Sequence, residues 1–365
     1  MKISFPYMGP VLAYKKLFEK LGHEVIVPLR PTRKTIELGT KYSPEFICFP
    51  FKIILGSYLE ALELGAEAFI TTGFIGACRA VYYGNLCERI LQELGFNIRV
   101  FVFDSPAEDF TGFIRQCREL GKGKSFLEAL SSLSLAVRLI YATDFYQKKI
   151  NHLRPYEINP GVCNRIWLEI QGLLDSCNKL RKMPSVLREA DKLISGIPIE
   201  KERAILKVGL VGEICFVMES HANNDIEEKL ARLGVEVVRN QYISHWLNHS
   251  LFSSHHLTRQ ADRYLKYCVG GHEKINIGYI LKYKKMGFDG IIHLMPFACM
   301  PELVTQTIIP PLSAELDLPI LSLSLDEQTG WVNNTIRIET FVELLWARRE
   351  MAKEGCVNGE AICRY

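Results

Sequence analysis

Three of the eleven cysteines in this 365-residue chain share a type of position at which a thiolate can bind a metal. Cys48 lies in SPEFICFPFK, just before a predicted helix. Cys78 lies in TTGFIGACRAVYY, between a predicted strand and the next helix, and Cys299 in IIHLMPFACMPE, after a strand and before a helix beginning at Pro301. The carboxyl ends of strands are where open α/β sheets bind ligands. Exposed N–H groups at helix N-termini favour the deprotonated sulfur that binds metals.

Three thiolates at equivalent positions are suited to a [4Fe–4S] cluster, with one iron left for an exogenous ligand or substrate. Arg79 and Lys52 would offset the negative charge of such a cluster. The alternative for any single cysteine is burial as a small hydrophobic residue. We favour that interpretation for four cysteines within helix or strand patterns: Cys87, Cys117, Cys177 and Cys215. The odd total and the absence of any Cys-x-x-Cys pair argue against a disulfide framework, a zinc ribbon and a bacterial ferredoxin.

The histidines offer further candidates. His272 follows two glycines at a predicted helix start and could act as an acid, a base or a hydrogen-bond donor near the cysteines; a plain glycine loop is the alternative. A second group consists of His245, His249, His255 and His256. The first two would share a helix face, but the glutamate of the His-Glu-x-x-His pattern is missing, so a surface or partner-facing role is favoured over zinc.

Strand and helix patterns alternate in two stretches of the chain. Residues 1–105 and 204–365 are each predicted to form a Rossmann-like domain, an α/β fold with a doubly wound parallel sheet. Residues 106–203 show long helical patterns and form a predicted helical insert or domain. Asp326 and Glu327 end the last predicted strand, where they either line the crevice or, as we favour, cap a turn.

An internal repeat relates the two α/β stretches. Lys52-x3-Gly56 followed by Gly65 parallels Lys274-x3-Gly278 followed by Gly287, with the same spacing. A duplicated domain facing its copy places a site in the crevice between them. The alignment sets Cys48 opposite a glycine, two residues from Cys268. We therefore hypothesise that Cys268, with Cys117 or Cys163, adds a fourth ligand or helps to hold a second cubane.

Composition excludes several classes of protein. Hydrophobic residues make up 48% of the chain and the net charge is +3, so the chain is globular and no dedicated nucleic-acid or membrane-surface binder is expected. We find no signal peptide and expect no membrane span, which predicts a cytoplasmic protein. Neither Gly-x-Gly-x-x-Gly nor a phosphate-binding Gly-x4-Gly-Lys-Ser/Thr loop occurs, so any ATP-dependent step is assigned to a partner.

Several strings resemble the (R)-2-hydroxyacyl-CoA dehydratase and benzoyl-CoA reductase family. They are PEFICFPFK (44–52), GACRAVYY (76–83) and PFACMPE (296–302), supported by VGEI (211–214), GGHE (270–273) and DEQTG (326–330). The chain is most similar to the relatives known as CoA-enzyme-activase-related and double-cubane-cluster proteins. It departs from the pattern at Ala80 and Val81, where a glycine commonly follows Cys-Arg.

The resemblance implies that Cys48, Cys78 and Cys299 ligate an oxygen-sensitive [4Fe–4S] cluster, or a double-cubane [8Fe–9S] cluster, between two Rossmann-like domains. It also implies an ATP-hydrolysing iron–sulfur activator of the actin/sugar-kinase/Hsp70 superfamily as electron donor, and a homodimer or a paralogous heterodimer. The expected function is low-potential reduction or dehydration of a small substrate, an acyl-CoA among the candidates. Two alternatives stay open: an electron-transfer or accessory subunit, and a bilobal small-molecule-binding protein without a redox role.

Overall fold

The computed structural model describes residues 1–73, 78–103, 110–251 and 255–358. The predicted boundary at residues 105 and 106 and the residues Gly76 and Ala77 lie outside this described part. Two four-stranded parallel sheets with helices packed against them make up the α/β regions, as the sequence predicts.

The first α/β unit contains β1 (Lys2–Ser4), α1 (Val11–Lys20), β2 (Glu24–Val25), α2 (Arg33–Tyr42), α3 (Phe49–Glu63), β3 (Ala68–Thr72), α4 (Tyr83–Glu93), β4 (Arg99–Phe103) and α5 (Phe110–Leu120). Its strand order is β2-β1-β3-β4, and every pair is parallel. The first residue of β3 pairs with both Ile3 and Arg99. Helix α5 packs on this sheet, since Leu120 is buried in the same cluster as Ile3 and Phe101.

The helical segment that follows contains α6 (Phe126–Leu153), α7 (Val162–Asp175) and α8 (Met183–Ser195). Helix α6 runs for 28 residues because no helix-breaking residue occurs before Pro155. Ser125 and Glu128 form the capping box that begins it. The helical core includes Ile150 of α6 and Ile170 of α7.

The expectation of no membrane span needs a correction at this helix. By length and composition alone, residues 126–156 are apolar enough to cross a membrane. Core packing explains part of this composition, because Leu135, Leu139 and Ile150 face the helical core and Asp144 is buried on the same helix. The described residues give no positive sign of membrane or cytoplasmic location.

The second α/β unit contains β5 (Leu206–Gly212), α9 (Ile214–Met218), α10 (Ser220–Asn223), α11 (Ile226–Arg232), β6 (Val235–Arg239), α12 (Ile243–Leu251), α13 (His255–Ala261), α14 (Glu273–Lys285), β7 (Gly290–Pro296), α15 (Met300–Leu316), β8 (Ile320–Leu325) and α16 (Trp331–Asn358). Its strand order, β6-β5-β7-β8, repeats that of the first unit strand for strand. The predicted internal repeat is therefore confirmed. Phe49 and Ile53 of α3 pack in the core of this second unit, which fixes the two units against each other.

The glycines of the repeat allow close helix crossings. A Cβ added at Gly56 of α3 would lie 1.9 Å from the carbonyl oxygen of Thr35, and one added at Gly39 of α2 would lie 1.8 Å from that of Lys52. Gly278 of α14 is the repeat equivalent of Gly56, and a Cβ added there would lie 2.6 Å from the carbonyl oxygen of Leu257. Both copies thus use the same glycine to bring a helix backbone against its neighbour. In the first copy this contact sets the position of α3, which Cys48 precedes.

We expect Gly56→Ala to destabilise the fold by about 1–3 kcal/mol or more, because backbone atoms of α2 cannot give way as a flexible side chain can. The measurement is the urea midpoint of unfolding, which should be lower than that of the unsubstituted chain. Gly172→Ala is the matched control, since Gly172 also lies inside a helix but has no atom within 4 Å of an added Cβ. An equal midpoint for the two variants would show that the α2–α3 crossing tolerates a methyl group.

Candidate functional site

Each of the three predicted cysteines is the residue that directly precedes a helix. Cys48 precedes α3, Cys299 precedes α15, and Cys78 precedes a 3₁₀ turn, Arg79–Tyr82, that leads into α4. All three have extended backbone conformations of the kind that N-cap residues adopt. Cys48 and Cys299 are buried, and Cys78 is half-buried. All three thiols therefore lie at the starts of helices, where the helix dipole favours negative charge.

Arg79 ties the three cysteine-bearing loops together. Its Nη1 donates to the carbonyl oxygen of Phe46 at 2.8 Å, and its Nη2 donates to that of Ala298 at 2.9 Å. Arg79 itself follows Cys78, Phe46 lies two residues before Cys48, and Ala298 adjoins Cys299. One guanidinium therefore connects a loop of the second α/β unit to two loops of the first.

The electrostatics of the three thiols are coupled. Burial is the largest cause that raises the pKa of Cys299, followed by the charges of Glu213 and Glu302, and the charge of Cys48 adds to it. Burial also raises the pKa of Cys78, with Cys48 again contributing, while the peptide N–H of Ala80 opposes the shift. Burial thus opposes deprotonation of Cys78 and Cys299, and a bound cation would offset that cost.

Tyr83 supplies a hydrogen bond that the sequence analysis missed. Its hydroxyl donates to Sγ of Cys48 at 3.0 Å, and the ring is buried beside Phe51. Burial, followed by the charge of Cys48, raises the pKa of Tyr83 well above its usual value, so the hydroxyl remains a donor. The only signal for it was the second tyrosine of CRAVYY, five residues after Cys78.

Two glutamates lie beside the thiols and were quoted only as parts of supporting strings. Glu213 follows β5 and accepts a hydrogen bond from the peptide N–H of Phe216 at 3.1 Å, which caps α9. Burial raises its pKa to about 7; the peptide N–H groups of Cys215 and Phe216 oppose this shift, and the charge of Glu302 contributes to it. A carboxyl with that pKa exchanges protons near neutrality, next to Cys78 and Cys299.

Glu302 anchors a buried polar network directly behind Cys299. Asn276 Nδ2 donates to both of its carboxylate oxygens at 3.0 Å, and His293 Nε2 lies 2.8 Å from Oε2. His293 Nδ1 lies 3.0 Å from the hydroxyl of Ser322. The exposed fractions of Asn276, His293 and Glu302 do not exceed 1%, so each polar group depends on the others. This network fixes the start of α15 to β7, β8 and α14.

Lys52 forms an ion pair with Glu327 across the two α/β units. The side chain of Lys52 is 5% exposed and that of Glu327 is 20% exposed. Asp326 accepts hydrogen bonds from the peptide N–H of Gln328 and the hydroxyl of Thr329, and so caps its turn. Of the two acids, Asp326 therefore caps a turn, as we favoured for the pair, whereas Glu327 pairs with Lys52. The charge of Lys52 is thus already matched, whereas the charge of Arg79 acts on Cys78.

A pocket of about 240 Å³ opens beside the Lys52–Glu327 pair. Phe46 and Phe297 line it, and both rings are well exposed to solvent. Each lies two residues before one of the buried cysteines, so the pocket adjoins the loops of Cys48 and Cys299. The site therefore combines three thiols, an apolar rim and a buried ion pair.

A family model described as 2-hydroxyglutaryl-CoA dehydratase, D-component, matches residues 15–345. The chain belongs to this family. The match spans both α/β units and the helical segment, so it covers every candidate residue of the site. A search of curated proteins found no match for this dehydratase-family chain.

The remaining candidates of this D-component family member lie in different environments. His272 directly precedes α14, the repeat equivalent of α3. Cys268 is exposed, and its thiol donates to Glu273 Oε1 at 3.0 Å, which raises its pKa together with burial. Cys163 is fully buried in the helical core, and Cys117 is exposed on α5, contrary to the predicted burial. Cys87, Cys177 and Cys215 are buried as predicted.

The predicted histidine group is described only in part. His245 lies on α12, where its Nε2 is 2.9 Å from Nζ of Lys148 and its Nδ1 is 3.2 Å from the carbonyl oxygen of Asn240. His249 follows on the same helix, and His255 and His256 begin α13. These contacts join His245 to α6 and to the residue after β6, and the surface or partner-facing role of the group stays a prediction.

The donor set fits an iron–sulfur cluster better than a single metal ion. Among the described residues, no group of three or more His, Cys, Asp or Glu side chains is placed to hold one ion. Thiolates of a cubane bind different irons and do not converge on one atom. Three thiols at helix starts, one of which accepts a hydrogen bond from Tyr83, are the kind of donor set that such a cluster would use.

Proposed function

We propose that this chain is the component of a 2-hydroxyacyl-CoA dehydratase-type system that holds a [4Fe–4S] cluster through Cys48, Cys78 and Cys299. An ATP-hydrolysing iron–sulfur activator would reduce it, and the substrate would be a small molecule of the acyl-CoA type. The observation that carries the proposal is the position of three cysteines at three helix starts whose loops are joined by Arg79. Membership of the dehydratase family supports the same assignment.

A cluster held by Cys48, Cys78 and Cys299 would supply a low-potential one-electron reductant. The chain's own residues prepare that site. Tyr83 donates to the sulfur of Cys48 and so stabilises its negative charge. Glu213, with a pKa raised to about 7, can hold or release a proton beside the thiols. Phe46 and Phe297 give the pocket that adjoins the cysteine loops an apolar wall for the substrate.

A fourth ligand or a second cubane would require further cysteines near Cys48, and the surroundings of the three candidates support neither. Cys268 is held by the carboxylate of Glu273, Cys163 is buried in the helical core and Cys117 is exposed on α5. None of these three cysteines directly precedes a helix, as Cys48 does. We therefore propose a single cubane rather than a double-cubane cluster.

Anaerobic purification tests the proposal. We expect about four iron and four sulfide per chain, absorption near ~400 nm, and an electron paramagnetic resonance signal that changes on dithionite reduction. Reduction by the activator and ATP, but not by either alone, would support the redox role. A colourless, iron-free protein would contradict the cluster. About eight iron per chain would contradict the single cubane. A cluster that no substrate perturbs would favour the accessory electron-transfer role.

Tyr83→Phe should lower the reduction potential of the cluster without removing it. The hydroxyl at 3.0 Å from Cys48 Sγ stabilises the more negative, reduced state, so its loss disfavours reduction. A hydrogen bond with a net value of about 0.5–1.5 kcal/mol corresponds to roughly 20–60 mV for one electron. A redox titration followed by absorption measures the shift. Tyr82→Phe, at an exposed ring in the same loop, is the control, and equal potentials for both variants would contradict the role of Tyr83.

A further inference from the structure

A second cavity, of about 420 Å³, lies where the first sheet, the helical segment and the second sheet meet. The β1–α1 loop, α6, α7 and the ends of α9 and β6 contribute to its wall, and no cysteine lines it. Glu219, at this cavity, directly follows α9, whereas Glu213, at the cysteines, directly precedes that helix. The five residues of α9 therefore separate the two sites, a length of about 8 Å.

Two buried carboxyl groups line this cavity without a cationic partner. Asp144 is 4% exposed and accepts from the peptide N–H of Ser244 at 2.7 Å. Glu219 is 7% exposed and accepts from the peptide N–H of Gly9 at 2.6 Å. Within the described part of the chain, the one basic side chain at ion-pair distance from either is His221, 3.6 Å from Glu219. Burial lowers the pKa of His221 to about 3, so it is neutral.

The other basic groups around the cavity are already committed. Lys15 Nζ lies 3.1 Å from Asp175. Arg239 donates to the carbonyl oxygen of Met218 at 2.9 Å and to Gln147 at 2.7 Å, and lies 3.5 Å from Glu227. Burial raises the pKa of Glu219 to about 7 and that of Asp144 above its usual value, although the charge of Arg239 opposes both shifts. Buried carboxylates normally have a cation at ion-pair distance, and among the described residues no charged base lies that close to Asp144 or Glu219.

Two unpartnered polar atoms provide an independent sign of a ligand. The hydroxyl of Thr143 and Nε of Arg239 are buried without a hydrogen-bond partner, and both residues line the cavity. Their exposed fractions are 5% and 4%. Buried polar groups are nearly always satisfied, so these atoms call for an acceptor that the chain does not supply. Trp167 and Tyr7 in the same wall offer aromatic faces suited to a cation.

We propose that this cavity binds a small organic cation, a primary ammonium compound that also carries a hydrogen-bond acceptor. Its ammonium group lies between Asp144 and Glu219, and its acceptor receives hydrogen bonds from Thr143 and Arg239. A ligand there contacts both α/β units and the helical segment at once. The site is separate from the cysteine site and does not depend on the proposed cluster.

Ethanolamine is the probe, with ethylene glycol and glycolate as its neutral and anionic counterparts. We expect ethanolamine to raise the thermal unfolding temperature of the full-length chain in a saturable manner, with binding measurable by calorimetry. Asp144→Asn and Glu219→Gln should each weaken binding at least tenfold, because a charge-assisted hydrogen bond is lost. Glu315→Gln, at an exposed carboxylate on α15, should leave the affinity unchanged.

Three results would overturn the proposal: no binding of ethanolamine, equal binding of ethylene glycol or glycolate, or the same effect from potassium chloride at equal ionic strength. Unchanged affinity in both carboxyl variants would overturn it as well. Unfolding of each variant without ligand shows whether it folds. Glu219→Gln keeps an acceptor for the N–H of Gly9, so it carries the test even where Asp144→Asn does not fold.

Discussion

Cys299→Ser is expected to abolish the iron–sulfur absorption of the anaerobically purified chain and to reduce bound iron from about four to less than one per chain. A serine hydroxyl is not deprotonated at neutral pH and is a poor ligand for iron in place of a thiolate. Cys299 is also the one proposed ligand from the second α/β unit, so its loss would leave the proposed cluster held from one side only. Iron and sulfide analysis, with the spectrum, measures the result.

The matched control for this variant is Cys117→Ser. Cys117 is exposed on α5, and its replacement should leave the iron content and the spectrum unchanged. Circular dichroism and unfolding midpoints of both variants separate cluster loss from loss of fold. A Cys299→Ser protein that retains its iron would remove this residue from the ligand set, and loss of iron from Cys117→Ser would restore the hypothesis of a wider set.

Glu302→Ala should have the largest effect on stability, about 3–5 kcal/mol. The change leaves Asn276 and His293 without their carboxylate partner, and both side chains are completely buried. A buried donor that loses its acceptor cannot turn to water, so the full cost of desolvation remains. The urea midpoint of unfolding measures the loss.

Glu315→Ala, on the same helix α15, is the control for Glu302→Ala. Glu315 pairs with Arg263 at the surface, where an ion pair contributes only about 0–1 kcal/mol. Glu302→Gln should lie between the two variants, because an amide oxygen still accepts from Asn276. Midpoints that do not differ between Glu302→Ala and Glu315→Ala would show that the network contributes no more than a surface pair.

Local sequence signals were sufficient to predict the α/β architecture with two parallel sheets. Helix stops at Gly65 and Gly287, followed by short apolar runs, predicted β3 and β7 correctly, because a glycine with positive φ ends a helix through its own backbone freedom. The repeated Lys-x3-Gly spacing predicted a duplicated domain, and the identical strand orders confirm it. Each of these features depends on residues close together in the chain.

The contacts that define the candidate site depend on residues far apart. Tyr83 and Cys48 are 35 positions apart, and Lys52 and Glu327 are 275 apart. Nothing in either local sequence specifies its partner, because the pairing follows from how the sheets and helices pack. For the same reason, little in the local sequence marked Glu213 or Glu302 as a site residue. Glu213 only follows a strand, and Glu302 only follows Cys299.

The sequence by itself determined which residue types stand at the starts of helices, and so which three cysteines deserve to be considered together. Helix starts are local features, set by proline, glycine and apolar spacing within a few residues. Only the tertiary structure decided that Arg79 joins their loops, that Lys52 is already paired, and that a second cavity holds two carboxyls without a cation. Those facts arise where separate segments meet, and burial there changes both the charge state and the partners of each side chain.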